Sequence, residues 1–359
     1  MSLLQKGTLG SLTLQNKVVM APMTRSRASS DHVPTPIMAT YYGQRSGAGL
    51  IITEGTAPGP DGAGYARIPG IWSQEQVKAW KPVTRAAHEG GAAIFIQLMH
   101  TGRIGHPDNL PAGARLVAPS SIAPATTQMW SDNAGATLPI PAPEAFSTEE
   151  LKDAKEVFVN AARNAIAAGF DGVELHAANG YLLEQFLSPH ANQRTDMYGG
   201  SSENRNRFVL EVAKAVADAI GKEKTGIRIS PYGAFNDIAA FEGIDEQYAQ
   251  LLKGINELGL VYVHLVNHSS MGAPEVPASV EELCRTAYSG TLILSGGYQL
   301  ETAEAALQQK RGQLVAFGRP FISNPDLVKR FREQLPLADV DFNTLYTPGE
   351  QGYTDYPNA

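Results

Sequence analysis

Cysteine is almost missing from this chain: Cys284 is the only one among 359 residues. No disulfide can form within the chain, and neither a four-cysteine zinc site nor a four-cysteine iron–sulfur cluster can be built from it. The segment around it, SVEELCRTAY, reads as a helix in which the thiol is a small core group. Long apolar runs are missing as well, since none approaches the roughly 18 residues that cross a bilayer. The N-terminal MSLLQKGTLGSLTLQN has no apolar h-region and no cleavage signal. The expectation is therefore a cytoplasmic chain without a membrane partner. Excess positive charge is absent too: the net charge is −7 and no basic stripe occurs, so nucleic acid is not an expected partner. No linker, charge block or low-complexity tract divides the chain, and residues 1–359 are expected to form one domain, monomeric or weakly self-associating.

What is present is a repeated alternation. Short, near-continuous apolar runs occur at 18–20, 50–53, 92–98, 172–177, 226–230, 261–266, 291–295 and 314–317. Continuous rather than alternating apolarity marks strands buried on both faces. Between the runs the period becomes helical. Leu151, Ala154, Val157, Phe158, Ala161, Ala162 and Ala165 share one face, after a capping-box start STEE at Ser147 and before a stop at Gly169. Phe208, Val212, Ala215 and Ala219 repeat the pattern before Gly221, and Leu251, Leu252, Ile255 and Leu258 before Gly259. Eight strand–helix units predict a (β/α)8 TIM barrel with its active site at the C-terminal strand ends. An open doubly wound sheet is the alternative, but no G-x-G-x-x-G follows the first strand. TLGSLTL near the N-terminus predicts a β-hairpin that plugs the barrel. The stretch 106–145, rich in Pro, Gly, Ala and Ser, fits neither strand nor helix and reads as a long loop after strand 3. Met129 and Trp130 could make a substrate wall there, or the loop could be a structural cover.

The strand ends carry the chemistry. Strand 4 runs out through FDGVELHAANGYLLEQ, which brings His176, Asn179 and Tyr181 to one edge. A neutral ring, an amide and a phenol can hold an oxygen on which charge builds, then deliver a proton nearby. The loops after strands 7 and 8 are where barrels bind phosphate. Here they contain Gly296, Gly297 and Gly318, which permit close backbone approach, and Arg319, which can grip phosphate with two hydrogen bonds. Gln97 can face a ring N–H beside a carbonyl, and Thr24 can donate to a carbonyl. Arg228 is a cation in a barrel mouth, costly unless something negative lies against it, either a carboxylate such as Glu174 or an anionic reduced flavin. FMN accounts for all of these together. A phosphate-substrate aldolase or isomerase remains open, although no lysine stands near a strand's C-terminal end. A non-catalytic flavin-binding protein also remains open.

These residues also carry a family resemblance. NKVVMAPMTRSRA, QLMHTGR, GFDGVELHAANGYLLEQFLSP, NQRTDMYGGSSENRNRF, SGGY, AFGRPFISNPDL and QGYTDYP occur in order along nearly the whole chain. The chain resembles the Old Yellow Enzyme family of FMN-dependent ene-reductases, in the branch of the N-ethylmaleimide, pentaerythritol tetranitrate and xenobiotic reductases. The resemblance implies FMN held by Pro22, Met23, Thr24, Gly55, Gln97, Arg228, Gly296, Gly297, Gly318 and Arg319, with His176 and Asn179 against it. It implies a substrate oxygen bound by His176 and Asn179, a proton from Tyr181, and a substrate site lined by Thr24, Tyr65, Met99 and Tyr346. The reaction implied is a ping-pong reduction of activated alkenes by NADPH or NADH, with nitrate esters or nitroaromatics as further acceptors. Met99 stands where the family often has tryptophan, which predicts a wider pocket beside the flavin.

Overall fold

The computed structural model describes residues 1–359. The chain opens with a hairpin, β1 (Gly7–Leu9) and β2 (Leu12–Leu14), paired antiparallel across Gly10, whose φ of 55° suits glycine. Then come β3 (Val18–Met20), α1 (Pro36–Gln44), β4 (Leu50–Ile52), α2 (Gln74–Glu89) and β5 (Ala93–Leu98). Four short strands follow: β6 (Val117–Ala118), β7 (Gln128–Ser131), β8 (Ala136–Pro139) and β9 (Glu144–Ala145). The middle of the chain supplies α3 (Thr148–Ala167), β10 (Gly172–Ala177), α4 (Leu182–Leu187), α5 (Ser202–Ile220), β11 (Thr225–Ile229) and α6 (Ile244–Leu258). Last are β12 (Tyr262–Val266), α7 (Ala278–Ala287), β13 (Thr291–Ser295), α8 (Leu300–Gln308), β14 (Leu314–Phe317), α9 (Arg319–Ser323) and α10 (Leu327–Glu333).

Eight of these strands close into a parallel barrel in the order β3, β4, β5, β10, β11, β12, β13, β14 and back to β3. They are the eight apolar runs of the sequence, with ends displaced by no more than one residue. The reason is burial on both faces: one side chain in two enters the barrel and the next meets a helix. Val19, Leu50, Ile52, Phe95, Tyr262, Ile293, Leu314 and Ala316 fill the interior, and Leu9 and Leu14 of the hairpin join the same cluster. The hairpin is thus the expected plug. Outside, α3 starts with the expected capping box, the Ser147 hydroxyl accepting from the Glu150 main chain while the Glu150 carboxylate accepts from the Ser147 N–H. Such a cap contributes about 1 kcal/mol. Gly169, at φ 94°, turns the chain out of the helix.

The stretch 106–145 is not the structureless loop expected. It holds the β7–β8 hairpin and the short β6–β9 pair. The hairpin escaped sequence reading because its polar, half-exposed strands lack a clean alternation. Met129 and Ile140 pack with Met99, Ile104, Leu116 and Tyr181, so the segment is a cap over one side of the barrel mouth. Trp130 is 45% exposed, and its indole N–H donates to Asp132.

Candidate active site

Parallel register places a polar layer just inside the barrel mouth. Glu174 pairs in register with Gln97, His176 with Arg228, and Arg228 with His264. All five side chains are buried. Glu174 accepts 2.8 Å hydrogen bonds from Gln97 Nε2 and from His264 Nδ1. Burial pushes the Glu174 carboxyl up, but His264, Arg228 and Gln97 outweigh it and hold it below the ordinary carboxylate range. Burial lowers His264, so the pair is a neutral imidazole donating to a carboxylate. Arg228 does not form the ion pair with Glu174 that is one of the two expectations; the groups that reach the carboxylate are Gln97 and His264. Its Nε is buried without a partner. Gln97, with its amide nitrogen engaged by Glu174, keeps its carbonyl oxygen free as an acceptor.

Beyond β10 the chain turns sharply. Asn179 sits at φ 58° and Gly180 at φ 75°, both left-handed. The Asn179 N–H donates to Ser230 Oγ at 2.9 Å, and its carbonyl accepts from Asn236 Nδ2 at 2.7 Å. Asn179 Oδ1 and His176 Nδ1 have no partner in the chain. Burial, and then the charge of Arg228, holds His176 well below its ordinary value, so the ring is neutral at pH 7. The His176 and Tyr181 rings lie 5.0 Å apart. The Tyr181 hydroxyl meets the Tyr65 hydroxyl at 2.9 Å. Burial raises Tyr181 to about 12, against the lowering effect of Tyr65. Tyr346, 59% exposed, stands at the rim on a C-terminal arm fastened by Arg25, Arg27 and Arg67.

On the other side of the mouth, β13 ends in Gly296 (φ 140°) and Gly297 (φ 71°). A Cβ on Gly297 would lie 2.4 Å from Ser270 Cβ, and one on Gly296 would lie 2.6 Å from the Asn267 carbonyl oxygen. Gly318 leads into α9, and the Arg319 guanidinium donates to the Ser270 carbonyl at 2.9 Å from an exposed position. Between the two ends, β3 runs into Pro22, Met23 and Thr24, and β4 into Gly55. Met99 does not stand beside an opened space: it is 1% exposed, and a Cβ on Gly55 would lie 2.4 Å from its sulfur. The flexible thioether has folded over the glycine.

Several polar groups of this mouth lie outside the sequence expectations. His264, Ser230 and His268 all belong to it, and the His268 ring stacks on Phe235 at 5.5 Å. Burial and Arg228 lower His268 to about 4. The run HLVNHSS signals polar residues at a strand end, but no spacing rule says which of its two histidines turns inward. No cluster of His, Cys, Asp or Glu is arranged to hold a metal ion.

The closed barrel and its polar mouth define a (β/α)8-barrel enzyme. The model of the NADH:flavin oxidoreductase / NADH oxidase family matches residues 3–338. The chain is 42% identical to a probable flavin mononucleotide-dependent alkene reductase of Leishmania infantum, covering 97% of this chain and 95% of the relative. It is 40% identical to 12-oxophytodienoate reductase 1 of Oryza sativa subsp. japonica, covering 97% and 91%. The solved morphinone reductase superposes with a TM-score of 0.96 at 41% identity, covering 100% of this chain and 96% of that one. The old yellow enzyme homologue of Zymomonas mobilis does so with a TM-score of 0.94 at 38% identity, covering 99% of each. The chain belongs to the NADH:flavin oxidoreductase / NADH oxidase family, that is, to the Old Yellow Enzyme family. It is an FMN-dependent oxidoreductase that draws its electrons from a reduced nicotinamide. No helix is long and apolar enough to cross a membrane.

Proposed function

We propose that this protein, acting through one FMN-binding unit of residues 1–359, reduces the C=C bond of α,β-unsaturated carbonyl or nitro compounds. The residues present fit FMN. The unpartnered Nε of Arg228 and the free carbonyl of Gln97 suit the pyrimidine edge of a flavin. The two left-handed glycines with Arg319 suit a phosphate. Pro22, Met23, Thr24, Gly55, Gln97 and Arg228 would hold the ring, and Gly296, Gly297, Gly318 and Arg319 the phosphate. FMN, when bound and reduced by NADPH or NADH, supplies hydride to the β-carbon.

The chain's own residues do the rest. His176 and Asn179 bind the substrate oxygen and polarise the conjugated double bond as charge builds there. A neutral imidazole serves this as a hydrogen-bond donor without an ionic trap that would hold the product. Tyr181 gives its proton to the α-carbon; with its pKa at about 12 the phenol is fully protonated at pH 7. Tyr65, Thr24 and Tyr346 shape the space around the substrate, under the cap made by the β7–β8 hairpin, and Met99 bounds it from its buried place between Tyr181 and that cap. The observation that carries the reading is the corner where the His176 and Tyr181 rings lie 5.0 Å apart beside the left-handed turn that carries Asn179, with His176 Nδ1 buried and left unpaired by the chain. An aldolase would need a lysine or a free carboxylate in that corner, and Glu174 is already committed to Gln97 and His264.

The test is anaerobic. The protein is reduced with NADPH and mixed with 2-cyclohexenone while flavin absorbance is followed. Bleaching, then prompt reoxidation by the enone, is expected. Bleaching without reoxidation by any activated alkene would overturn the alkene reading.

A further inference from the structure

Glu184 is a buried carboxyl with no cation beside it. It lies in the first turn of α4, three residues beyond Tyr181, and is 2% exposed. Its Oε2 accepts from the Gly180 N–H at 2.6 Å. Its Oε1 accepts from the Ser230 hydroxyl at 2.7 Å and from the Tyr248 hydroxyl at 3.2 Å. The Ser230 oxygen in turn accepts from the Asn179 N–H at 2.9 Å. Asn179 and Gly180 are the two consecutive left-handed residues that swing the chain from His176 to Tyr181. One carboxyl therefore fastens both, one directly and one through a serine.

We propose that Glu184 is the positioning residue of the oxygen-binding corner, setting through Ser230 and the Gly180 main chain where the Asn179 amide stands. The proposal rests on the reading that Asn179 binds the substrate oxygen. The carboxylate, the form present above its raised value of about 7, matches the donors around it. The Gly180 N–H donates to one oxygen, and the Ser230 and Tyr248 hydroxyls donate to the other. An amide offers one acceptor oxygen and sets an NH2 in place of the second. Glutamine at this position, compared at pH 8.5, would set an NH2 against the two hydroxyl hydrogens or against the Gly180 N–H, and the turn that carries Asn179 would relax. A carboxyl that merely filled the space beneath the loop after β11, beside Leu187, Ile238 and Phe241, would affect stability without selecting for substrate binding.

The test compares holoenzymes of the wild type, Glu184→Gln, Ser230→Ala, the double variant and Asn179→Ala. 2-Cyclohexenone is varied at saturating NADPH, and FMN content is read from absorbance. In each single variant KM should rise on the order of tenfold, the effect of one misplaced hydrogen bond, with kcat changed far less and FMN content unchanged. The double variant should be no worse than the poorer single one, because both lie on one hydrogen-bond chain. An unchanged KM in Glu184→Gln, or additive losses in the double variant, would overturn the proposal. Should Glu184→Gln fail to fold, Ser230→Ala decides against Tyr248→Phe, which cuts only the carboxyl's other partner: KM must rise in the first and stay in the second. If Asn179→Ala itself leaves KM unchanged, it is the oxygen-binding reading that falls. If Asn179→Ala raises KM and Glu184→Gln does not, only the positioning role falls.

Discussion

The hydroxyl oxygens of Tyr65 and Tyr181 lie 2.9 Å apart, and the two rings meet edge to face with centroids 5.9 Å apart. Tyr65 lowers the Tyr181 phenol, while Tyr181 raises that of Tyr65. Either hydroxyl can donate in this pair; when Tyr65 donates, the Tyr181 hydrogen is free to point into the mouth, and a departing proton's phenolate has a ready donor. Tyr181→Phe should slow reoxidation of the reduced flavin by 2-cyclohexenone by about 10²- to 10⁴-fold, the range of one general acid. Reduction by NADPH should stay near the wild-type rate. Stopped-flow traces of both half-reactions check this; equal reoxidation rates in the variant and the wild type would remove Tyr181 from the proton path. Tyr65→Phe should produce a smaller loss in the same half-reaction.

Arg319 is exposed and bonded only to Ser270, so nothing in the fold depends on its charge. Arg319→Ala should leave the thermal transition of the apoprotein unchanged yet weaken FMN binding by roughly 10- to 100-fold, as expected for one charged hydrogen bond. Flavin fluorescence on dilution reads the affinity. Full flavin occupancy of the variant at nanomolar protein would show that the phosphate lies elsewhere.

Two buried carboxyls set a pH dependence. Burial pushes both Glu54 and Glu184 to about 7 against an ordinary value of 4.5. Between those values the native state holds protons that the unfolded chain has released. The stability each contributes is fully present below the unfolded value and is lost as pH rises through the folded one. Each group accounts for up to about 3 kcal/mol over that window. The buried histidines His176, His264 and His268, all lowered, carry the opposite sign below their ordinary value, so the carboxyl contribution is read as a difference between variants. The urea midpoint of Glu54→Gln should gain on that of the wild type from pH 5 to pH 8, and a difference that stays constant over this range would refute the assignment.

How much of this could be read from the sequence differs between backbone and side chains. The strands at 172–177 and 314–317 were legible because burial on both faces leaves an apolar signature that no neighbouring residue can mask. The cap was not, because the Gln128–Ser131 and Ala136–Pro139 strands owe their existence to packing over Met99 and Tyr181 rather than to their own pattern. Within the site, His176, Asn179 and Tyr181 lie on one contiguous stretch, and the His176 and Tyr181 rings meet 5.0 Å apart. Glu184 and Ser230 lie on different elements, and only the closed barrel brings them together. That Arg228 does not pair with Glu174, one of its two expected partners, is illegible for a related reason. Sequence reveals that Glu174 is nearby, but not that Gln97 and His264 reach its oxygens first.

The C-terminal arm supplies a further prediction, because it is held by cations rather than by an apolar face. Arg25, wholly buried, donates to the carbonyls of Leu345 and Gly352 and to the Tyr41 hydroxyl at 3.1, 2.6 and 3.1 Å. Tyr41 stacks on Tyr353 at 4.0 Å, and Arg45 donates to the carbonyls of Phe321 and Ile322, so the arm, α1 and the start of α9 form one cluster. Arg25 also follows Thr24 directly, on the segment proposed to lie against the flavin. Arg25→Met retains the aliphatic stem but takes the donor from the Gly352 carbonyl and the Tyr41 hydroxyl, while the Leu345 carbonyl keeps Arg27, at roughly 1–3 kcal/mol for each acceptor that water cannot reach. The expected result is a large drop in melting temperature together with loss of the order that holds Tyr346 at the rim. Proteolysis should report the second effect separately: chymotrypsin, cutting after Phe342, Leu345 or Tyr346, should release the arm from the variant faster than it cuts the barrel, whereas in the wild type the arm should survive as long as the core. Equal protection of the arm in both would mean that Tyr41, Tyr353 and Arg27 suffice to hold it, and that Arg25 is buried there for the sake of β3 alone.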